Sequence, residues 1–152
     1  MKLTDSIQAV LRGKGEAVWS VGPGQSAYEA VQVMMERQVG ALLVMTDGEL
    51  VGMVSERDCA RRIVLEDRPA RQTPVAEIMS SPVVVVEARQ TVDEAMAIMT
   101  GRRIRHLPVV DGGRLVGMVS IGDLVKWTIT QQSETIDHLG AYIAGGQVAA
   151  KL

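Results

Sequence analysis

The sequence predicts a mixed α/β fold in which a unit of about 60 residues occurs twice. The pentapeptide Val-Gly-Met-Val-Ser ends at Ser55 and again at Ser120, an offset of 65 residues. The same offset, read without a gap, pairs Glu29 with Glu94. Both copies also place a helical pattern before two apolar runs that are joined by a glycine-containing turn. Each unit therefore reads strand, helix, strand, strand, helix.

The first strand and the first helix of each unit come from short local patterns. A β-branched run, residues 18–21 in one copy and 83–86 in the other, predicts the strand. A hydroxyl residue followed three positions later by glutamate then marks the start of the helix as a capping box. These pairs are Ser26 with Glu29 and Thr91 with Glu94.

Two strands joined by a tight turn come next in each unit. Glycine after aspartate or glycine, between two apolar runs, is typical of a β-hairpin. The predicted hairpins are residues 41–45 and 50–54 around Asp47-Gly48, and residues 107–110 and 115–119 around Asp111-Gly112-Gly113. The second helix of each unit begins at Ser55 or Ser120.

The remaining segments connect and flank the two units. Proline at a first-turn position predicts a short helix from Thr73 to Met79, and its counterpart is the segment from Asp5 to Arg12. Apolar spacing predicts a long C-terminal helix that ends near Gly145-Gly146. The expected division is a first repeat over 1–66, a linker over 67–72, a second repeat over 73–130 and a C-terminal helical extension over 131–152.

Composition excludes several classes of protein. The chain is 47% apolar and 22% charged with a formal net charge of -2, and it has no basic run, so a nucleic-acid partner is not expected. No apolar run approaches the roughly 18 residues of a membrane span, and the N-terminus lacks the apolar core of a signal peptide. We expect a cytoplasmic protein, with a mature organellar protein as the open alternative. The single cysteine, Cys59, cannot form an internal disulfide and is expected to fill buried space.

The residues that could carry chemistry lie where each hairpin meets its second helix. Both copies read Ser-x-x-Asp there, from Ser55 to Asp58 and from Ser120 to Asp123. The free amides of a helix start suit a phosphate, and a carboxylate can accept hydrogen bonds from a ribose diol. The same pattern is also a capping box that needs no ligand. From the residues alone both interpretations stay open.

These patterns together resemble the cystathionine-β-synthase (CBS) domain pair, also called a Bateman module. The resemblance rests on the order of elements, on the L-V-G-M-V-S-x-x-D ending of both copies, and on I-R-H-L-P-V-V at 104–110. It covers residues 5 to 130. The tail from Ser120 to Gly146 further resembles free-standing CBS pairs of bacteria and plant organelles.

The resemblance implies two repeats about a pseudo-twofold axis, with clefts that bind an adenosyl ligand. The ligands so implied are AMP, ADP, ATP, S-adenosylmethionine and NAD(H). Asp58 and Asp123 would hold ribose hydroxyls, and Ser55 and Ser120 would lie near phosphate. The backbone at Gly40-Ala41 and at Arg105-His106 would face the adenine, and Val18 and Val83 would pack on the base.

The two copies differ where phosphate would lie, so we expect two clefts that are not equivalent. Arginine binds phosphate through a fork of donors, whereas glycine offers close backbone approach. Arg105 and His106 replace Gly40 and Ala41, while Arg57 becomes Gly122.

The expected function is regulatory binding of an adenine nucleotide, with the output passed in trans to an unknown protein partner. We expect a homodimer, no metal site, and no enzyme activity, since the sequence offers no paired carboxylates with His, no Cys–His pair and no glycine-rich phosphate loop. The alternative is a structural dimerisation module with empty clefts. His106 is equally consistent with a phosphate contact and an ordinary strand position, whereas His138 is expected on the helix surface. Trp127 and Tyr142 mark either a dimer face or burial within one subunit.

Overall fold

The computed structural model describes residues 4–15 and 17–132. The predicted end of the last helix, with His138, Tyr142 and Gly145-Gly146, lies outside these residues. The two repeats have the same architecture, a three-stranded sheet with helices packed against it. The mixed α/β class and the repeated unit are therefore confirmed.

The chain begins with an N-terminal helix, α1, over Ile7–Lys14, and the helices and strands that follow have the predicted order. The first repeat contains β1 (Ser20–Val21), α2 (Ala27–Arg37), β2 (Ala41–Thr46), β3 (Glu49–Ser55) and α3 (Glu56–Cys59), which continues as a π-helical turn over Ala60–Val64. A 3-10 turn, Val75–Glu77, precedes the second repeat. The second repeat contains β4 (Val86–Glu87), α4 (Val92–Arg102), β5 (His106–Asp111), β6 (Arg114–Ser120) and α5, described over residues 121–132.

Both sheets have the same topology. The first strand of each pairs in parallel with the central strand, and the last strand pairs antiparallel with it. The central strands shift register at Val44/Met45 and at Val109/Val110. At the hairpin turns both central residues have positive φ, the mirror-image turn that favours glycine. These turn residues are Asp47 and Gly48, and Gly112 and Gly113.

Helices α2 and α4 start as the hydroxyl residues predict, but only one capping box closes. Thr91 accepts a hydrogen bond from the Glu94 amide, and the Glu94 carboxylate accepts one from the Thr91 amide. Ser26 accepts from the Glu29 amide in the same way. The Glu29 carboxylate instead accepts a hydrogen bond from Gln25 Nε2 at 3.0 Å. The prediction of a capping box at Ser26 is thus half wrong, because a neighbouring amide side chain takes the carboxylate.

The segments in front of the two repeats are exchanged between them. The amide of Val92, which opens α4, donates to the carbonyl of Asp5, and the amide of Ala27, which opens α2, donates to the carbonyl of Thr73. Ser6 forms a bridge with Thr91 in the same manner as Ser26 does with Pro74. The N-terminal segment therefore completes the second repeat, and the segment after the linker completes the first. This pattern supports the predicted correspondence between the two segments.

Each hydrophobic core contains side chains from the segment that precedes the other repeat. Ile7 and Leu11 of α1 are buried with β5, β6 and α4, while Val75 and Ile78 are buried with β2, β3 and α2. The glycines of the repeated pentapeptide make room for this contact. A Cβ atom at Gly117 would lie 2.9 Å from Leu11 Cδ2, and one at Gly52 would lie 2.4 Å from Met79 Sδ.

Several predicted elements are shorter than the patterns indicated. The regular first strands cover only Ser20–Val21 and Val86–Glu87. The predicted helix from Thr73 to Met79 is a single 3-10 turn over Val75–Glu77, because the chain then pairs with β3, where the amide of Ser80 donates to the carbonyl of Met53. Cys59 is buried as expected, with 8% of its surface exposed.

Trp127 is engaged within its own subunit. Its indole Nε1 donates to Asp5 Oδ2 at 3.0 Å, and its ring packs against the second core. Of the two readings left open for this residue, the structure therefore supports contact with the same chain. None of the helices within residues 4–15 and 17–132 is long and apolar enough to cross a bilayer.

Candidate functional site

The first Ser-x-x-Asp is a closed capping box at the start of α3. Asp58 Oδ2 accepts hydrogen bonds from the Ser55 amide at 2.8 Å and from Ser55 Oγ at 2.9 Å. In return Ser55 Oγ accepts from the Asp58 amide at 3.1 Å. These hydrogen bonds hold the half-buried carboxylate of Asp58 at the N-terminus of α3 in a defined orientation.

The second Ser-x-x-Asp has the same cap and an additional cation. Asp123 Oδ2 accepts from the Ser120 amide at 2.8 Å, and Ser120 Oγ accepts from the Asp123 amide at 3.1 Å. Lys14 Nζ lies 2.6 Å from the same Oδ2 and donates to the carbonyl of Met118 at 2.7 Å. The last turn of α1 therefore delivers an ammonium group to the second helix start.

Lys14 was not among the residues predicted for this site. It stands 109 residues from Asp123 along the chain, and it belongs to a segment that is predicted from its position to serve the first repeat. The only hint in the sequence is a basic residue in the last turn of a short helix, which also has a local explanation in the helix dipole.

The start of each central strand lies beside the helix start of the same repeat. The amide of Glu56 donates to the carbonyl of Gly40 at 3.0 Å, and the amide of Ile121 donates to the carbonyl of Arg105 at 2.8 Å. In the sheets, Ala41 pairs with Ser55 and His106 pairs with Ser120. In each repeat the structure thus brings together the predicted adenine-facing backbone and the predicted ribose-binding acid.

The other predicted residues lie around the same two places. Val18 and Val83 are half-buried and precede their short strands on the side where the central strands begin, because Ser20 pairs in parallel with Leu43 and Val86 with Val109. Arg57 and Gly122 occupy the first turns of α3 and α5 and are exposed. All twelve predicted residues therefore fall into two equivalent groups, one in each repeat.

The two groups meet between the repeats. A Cβ atom placed on Gly40 would lie 3.4 Å from Cε1 of the His106 ring and 3.8 Å from Glu56 Oε2. His106 thus reaches from the second repeat to the strand start of the first. The two helix starts border one shared region rather than opposite faces of the protein.

Charge at the second helix start shifts the titration of its residues. Burial alone would raise the pKa of Asp123, but the hydrogen bond and charge of Lys14 and the Ser120 amide outweigh it and hold this pKa below its usual value. Burial lowers the pKa of His106, and Lys14 and Arg105 lower it further against the opposing effect of Asp123. Near neutral pH the site therefore combines an ionised carboxylate with an uncharged imidazole.

At the first helix start, burial and the nearby carboxylates of Asp58 and Glu56 raise the pKa of Cys59 to about 11. The thiol is therefore protonated at neutral pH and is a poor nucleophile. Within residues 4–15 and 17–132, no three His, Cys, Asp or Glu side chains gather as a metal site would need.

Both helix starts can still accept hydrogen bonds from a ligand. Among the described residues, the hydrogen bonds to either carboxylate end on Oδ2, so Oδ1 of Asp58 and of Asp123 is the atom that a hydroxyl could reach. An ionised carboxylate accepts such bonds more strongly than a neutral oxygen does. The arrangement suits a ligand with vicinal hydroxyls, and at the second start also an anionic group.

Comparison with known proteins gives a consistent result. The CBS domain model matches residues 16–65 and 75–129. The mitochondrial CBS domain-containing protein CBSX3 of Arabidopsis thaliana is 36% identical over 93% of this chain and 73% of its own length. The CBS domain-containing protein YhcV of Bacillus subtilis is 38% identical over 76% of this chain and 82% of its own. A protein with CBS domains from Burkholderia ambifaria superposes with a TM-score of 0.81 at 44% identity, over 84% of this chain and 96% of that one.

One more distant structure shares the fold and contains ligands. The CBS domain pair of protein MJ0100 superposes with a TM-score of 0.74 at 22% identity, over 84% of this chain and 98% of that one. It was solved in complex with 5-methylthioadenosine and S-adenosyl-L-methionine.

Proposed function

Because the chain belongs to the CBS domain family, we propose that it is a regulatory module that binds adenine nucleotides in the region between its repeats. The ligands we propose are AMP, ADP, ATP or NAD(H). Binding would change how the repeats contact each other, and a protein partner would read that change in trans. A ligand has this effect only if it binds one arrangement more tightly than the other.

One observation carries the proposal: the structure brings a capped, ionisable aspartate and the start of a central strand together in each repeat. The hydrogen bonds from Glu56 to Gly40 and from Ile121 to Arg105 fix that arrangement. A distant protein of the same fold holds two adenosyl compounds, which supports ligands of this class without identifying the one bound here.

A second candidate is a structural module that associates through its helices and binds no nucleotide. The observation that favours it is the ion pair of Lys14 with Asp123 at 2.6 Å, since this carboxylate already has a partner in its own chain. Asp58 likewise has its full cap. A nucleotide must then displace, or bind in addition to, the hydrogen bonds that these two carboxylates already accept.

Calorimetric titration and thermal unfolding with AMP, ADP, ATP, NAD and S-adenosylmethionine distinguish the two candidates. A ligand that binds only the folded state stabilises it by about 2.7 kcal/mol at a hundred times its Kd. We expect a rise in Tm with at least one compound. If no compound gives binding heat or a rise in Tm, the nucleotide proposal is wrong and the structural one is favoured.

Asp58→Ala and Asp123→Ala assign any binding to a cleft. Each variant also loses a helix cap that contributes about 1 kcal/mol, so its liganded Tm must be compared with its own unliganded Tm. We expect each substitution to abolish one site, and the double variant to show no ligand-dependent shift. Glu36→Ala, an exposed position on α2, is the control for loss of an acidic side chain elsewhere.

We further propose that the module is a homodimer without catalytic activity. The protonated Cys59 thiol and the capped aspartates offer no activated nucleophile beside a base. Sedimentation of the purified protein tests the dimer. Incubation with ATP or NAD followed by product analysis tests for turnover, and turnover that Asp123→Asn abolishes would contradict this part of the proposal.

A further inference from the structure

We propose that Lys14 makes the second site select adenosyl ligands that carry a phosphate. The inference rests on the proposed function and identifies the residue that sets the ligand charge. Lys14 Nζ has three N–H donors, and it uses two of them on Asp123 Oδ2 at 2.6 Å and on the Met118 carbonyl at 2.7 Å. A donor remains for a third acceptor, and the side chain is 33% exposed.

The ammonium is held at this site by the helix that carries it. Ile7 and Leu11 of α1 are 0% and 3% exposed in the second core, and Leu11 lies over Gly117. The last turn of α1 therefore cannot move far without opening the core. The charge of Lys14 is thus a fixed property of the second site, although the residue lies outside that repeat in the sequence.

Among the residues that the structure describes, no lysine or arginine pairs with Asp58 as Lys14 does with Asp123. The exchanged segment places Met79 over Gly52 as α1 places Leu11 over Gly117, and three residues further on stands Pro82 instead of a lysine. The equivalent carbonyl, that of Met53, accepts a backbone hydrogen bond from the amide of Ser80.

Among the described residues, the two helix starts consequently differ in charge. Around the second helix start lie two cations and one anion, Lys14, Arg105 and Asp123, with His106 uncharged near neutral pH because its pKa is lowered. Within the described part of the chain, the first helix start itself carries one cation and two anions, Arg57, Glu56 and Asp58, and Glu56 Oε2 lies near the Gly40 position that the His106 ring also faces. A phosphate is favoured at the second and disfavoured at the first.

A phosphate would give Lys14 a further charged acceptor while a ribose hydroxyl binds Asp123 Oδ1. A nucleoside without phosphate offers no anionic acceptor to the Lys14 ammonium group. One charge-assisted hydrogen bond changes an affinity by roughly tenfold to a hundredfold. We therefore expect the second site to prefer AMP over adenosine by at least about tenfold.

The experiment uses AMP and adenosine as probes and the full-length Asp58→Ala variant as the parent, so that only the second site is titrated. Calorimetry gives the Kd of each probe for the parent and for the parent with Lys14→Gln or Lys14→Arg. Glutamine keeps a donor for Asp123 and Met118 but removes the charge. We expect Lys14→Gln to weaken AMP about tenfold or more and to leave adenosine within about twofold. Lys14→Arg should keep the preference.

The outcomes distinguish phosphate selection by Lys14 from the underlying proposal of adenine-nucleotide binding. Equal weakening of both probes by Lys14→Gln indicates a merely structural role and overturns the inference. So does an unchanged preference for AMP, and so does a parent that binds both probes equally; in these cases nucleotide binding itself stands. If the wild-type protein binds neither AMP nor adenosine, the inference fails, whereas the proposed function is decided by the titrations with the other adenosyl compounds. Unliganded Tm values check that the Lys14 variants remain folded.

Discussion

Gly40 lies directly against the imidazole ring of His106, so that a side chain at residue 40 would meet Cε1 at 3.4 Å and Nε2 at 3.5 Å. This contact joins the strand starts of the two repeats. A methyl group fits there in ordinary contact, whereas a branched side chain would push against the ring.

We expect Gly40→Val to force the repeats apart and Gly40→Ala to be tolerated. Overpacking of this kind costs about 1–3 kcal/mol, and it should also weaken any ligand held between the repeats. Chemical unfolding and the calorimetric titrations above measure both effects. Equal stability and binding for valine and alanine would show that the contact gives way freely.

Gly52→Ala should destabilise the protein by about 1–3 kcal/mol. The new Cβ would lie 2.4 Å from Met79 Sδ and 3.2 Å from the Ser80 carbonyl oxygen, so both the side chain and the backbone of the exchanged segment must shift. The free energy of unfolding in urea is the measurement.

The matched control is Gly101→Ala in α4, where nothing lies within 4 Å of the new Cβ. Alanine is better than glycine in a helix by up to about 1 kcal/mol, so this variant should be more stable than the wild type. Loss of stability at both positions would argue against the close contact as the cause.

Asp5→Ala should cost about 1 kcal/mol, the size of a typical hydrogen bond. Asp5 Oδ2 accepts from Trp127 Nε1 and so ties the chain before α1 to α5. Urea unfolding followed by tryptophan fluorescence measures the loss. Asp5→Asn keeps an acceptor oxygen and should remain close to the wild type; a loss as large as that of alanine would contradict a hydrogen-bonding role.

His106 should make the protein less stable in mild acid. Its pKa in the folded state lies below 6.5, chiefly because of burial, so below that pH the unfolded chain binds more protons than the folded one. The stability it contributes is complete above about pH 6.5 and is lost as the pH falls through the folded pKa.

His106→Gln removes this titration while the carboxyl groups still titrate in both proteins. The difference in unfolding free energy between wild type and variant should therefore shift against the wild type between pH 7.5 and pH 5.5. Parallel pH profiles for the two proteins would show that the imidazole titrates alike in the folded and unfolded states.

Local sequence patterns were sufficient to predict the units, their hairpins and the two helix starts at which the candidate aspartates lie. The turn at Asp47-Gly48 needs positive φ at both positions, and few residue pairs meet that need as well. The strand starts and helix starts are adjacent because each hairpin leads directly into its helix. Short-range chemistry therefore located Asp58 and Asp123 correctly at two equivalent helix starts.

What the sequence could not predict depends on contacts between distant segments. The 3-10 turn at Val75–Glu77 does not extend because the chain that follows it pairs with β3 at Met53 and Ser80. A local exception is Glu29, which leaves its capping box because Gln25, four residues earlier, lies within reach. Lys14 joins the second site only because α1 crosses to the other repeat. Periodicity and capping describe a segment by itself and contain no information on such partners.

The crossed segments also mean that the boundary between the repeats in sequence is not a boundary between independently folding halves. A chain severed within residues 67–72 would leave α1 on one fragment and the core that it completes on the other. Each fragment would expose the apolar face on which Leu11 or Met79 normally lies, and neither would keep both sides of the region where the candidate sites meet. Two such fragments should regain a native core only by associating with each other.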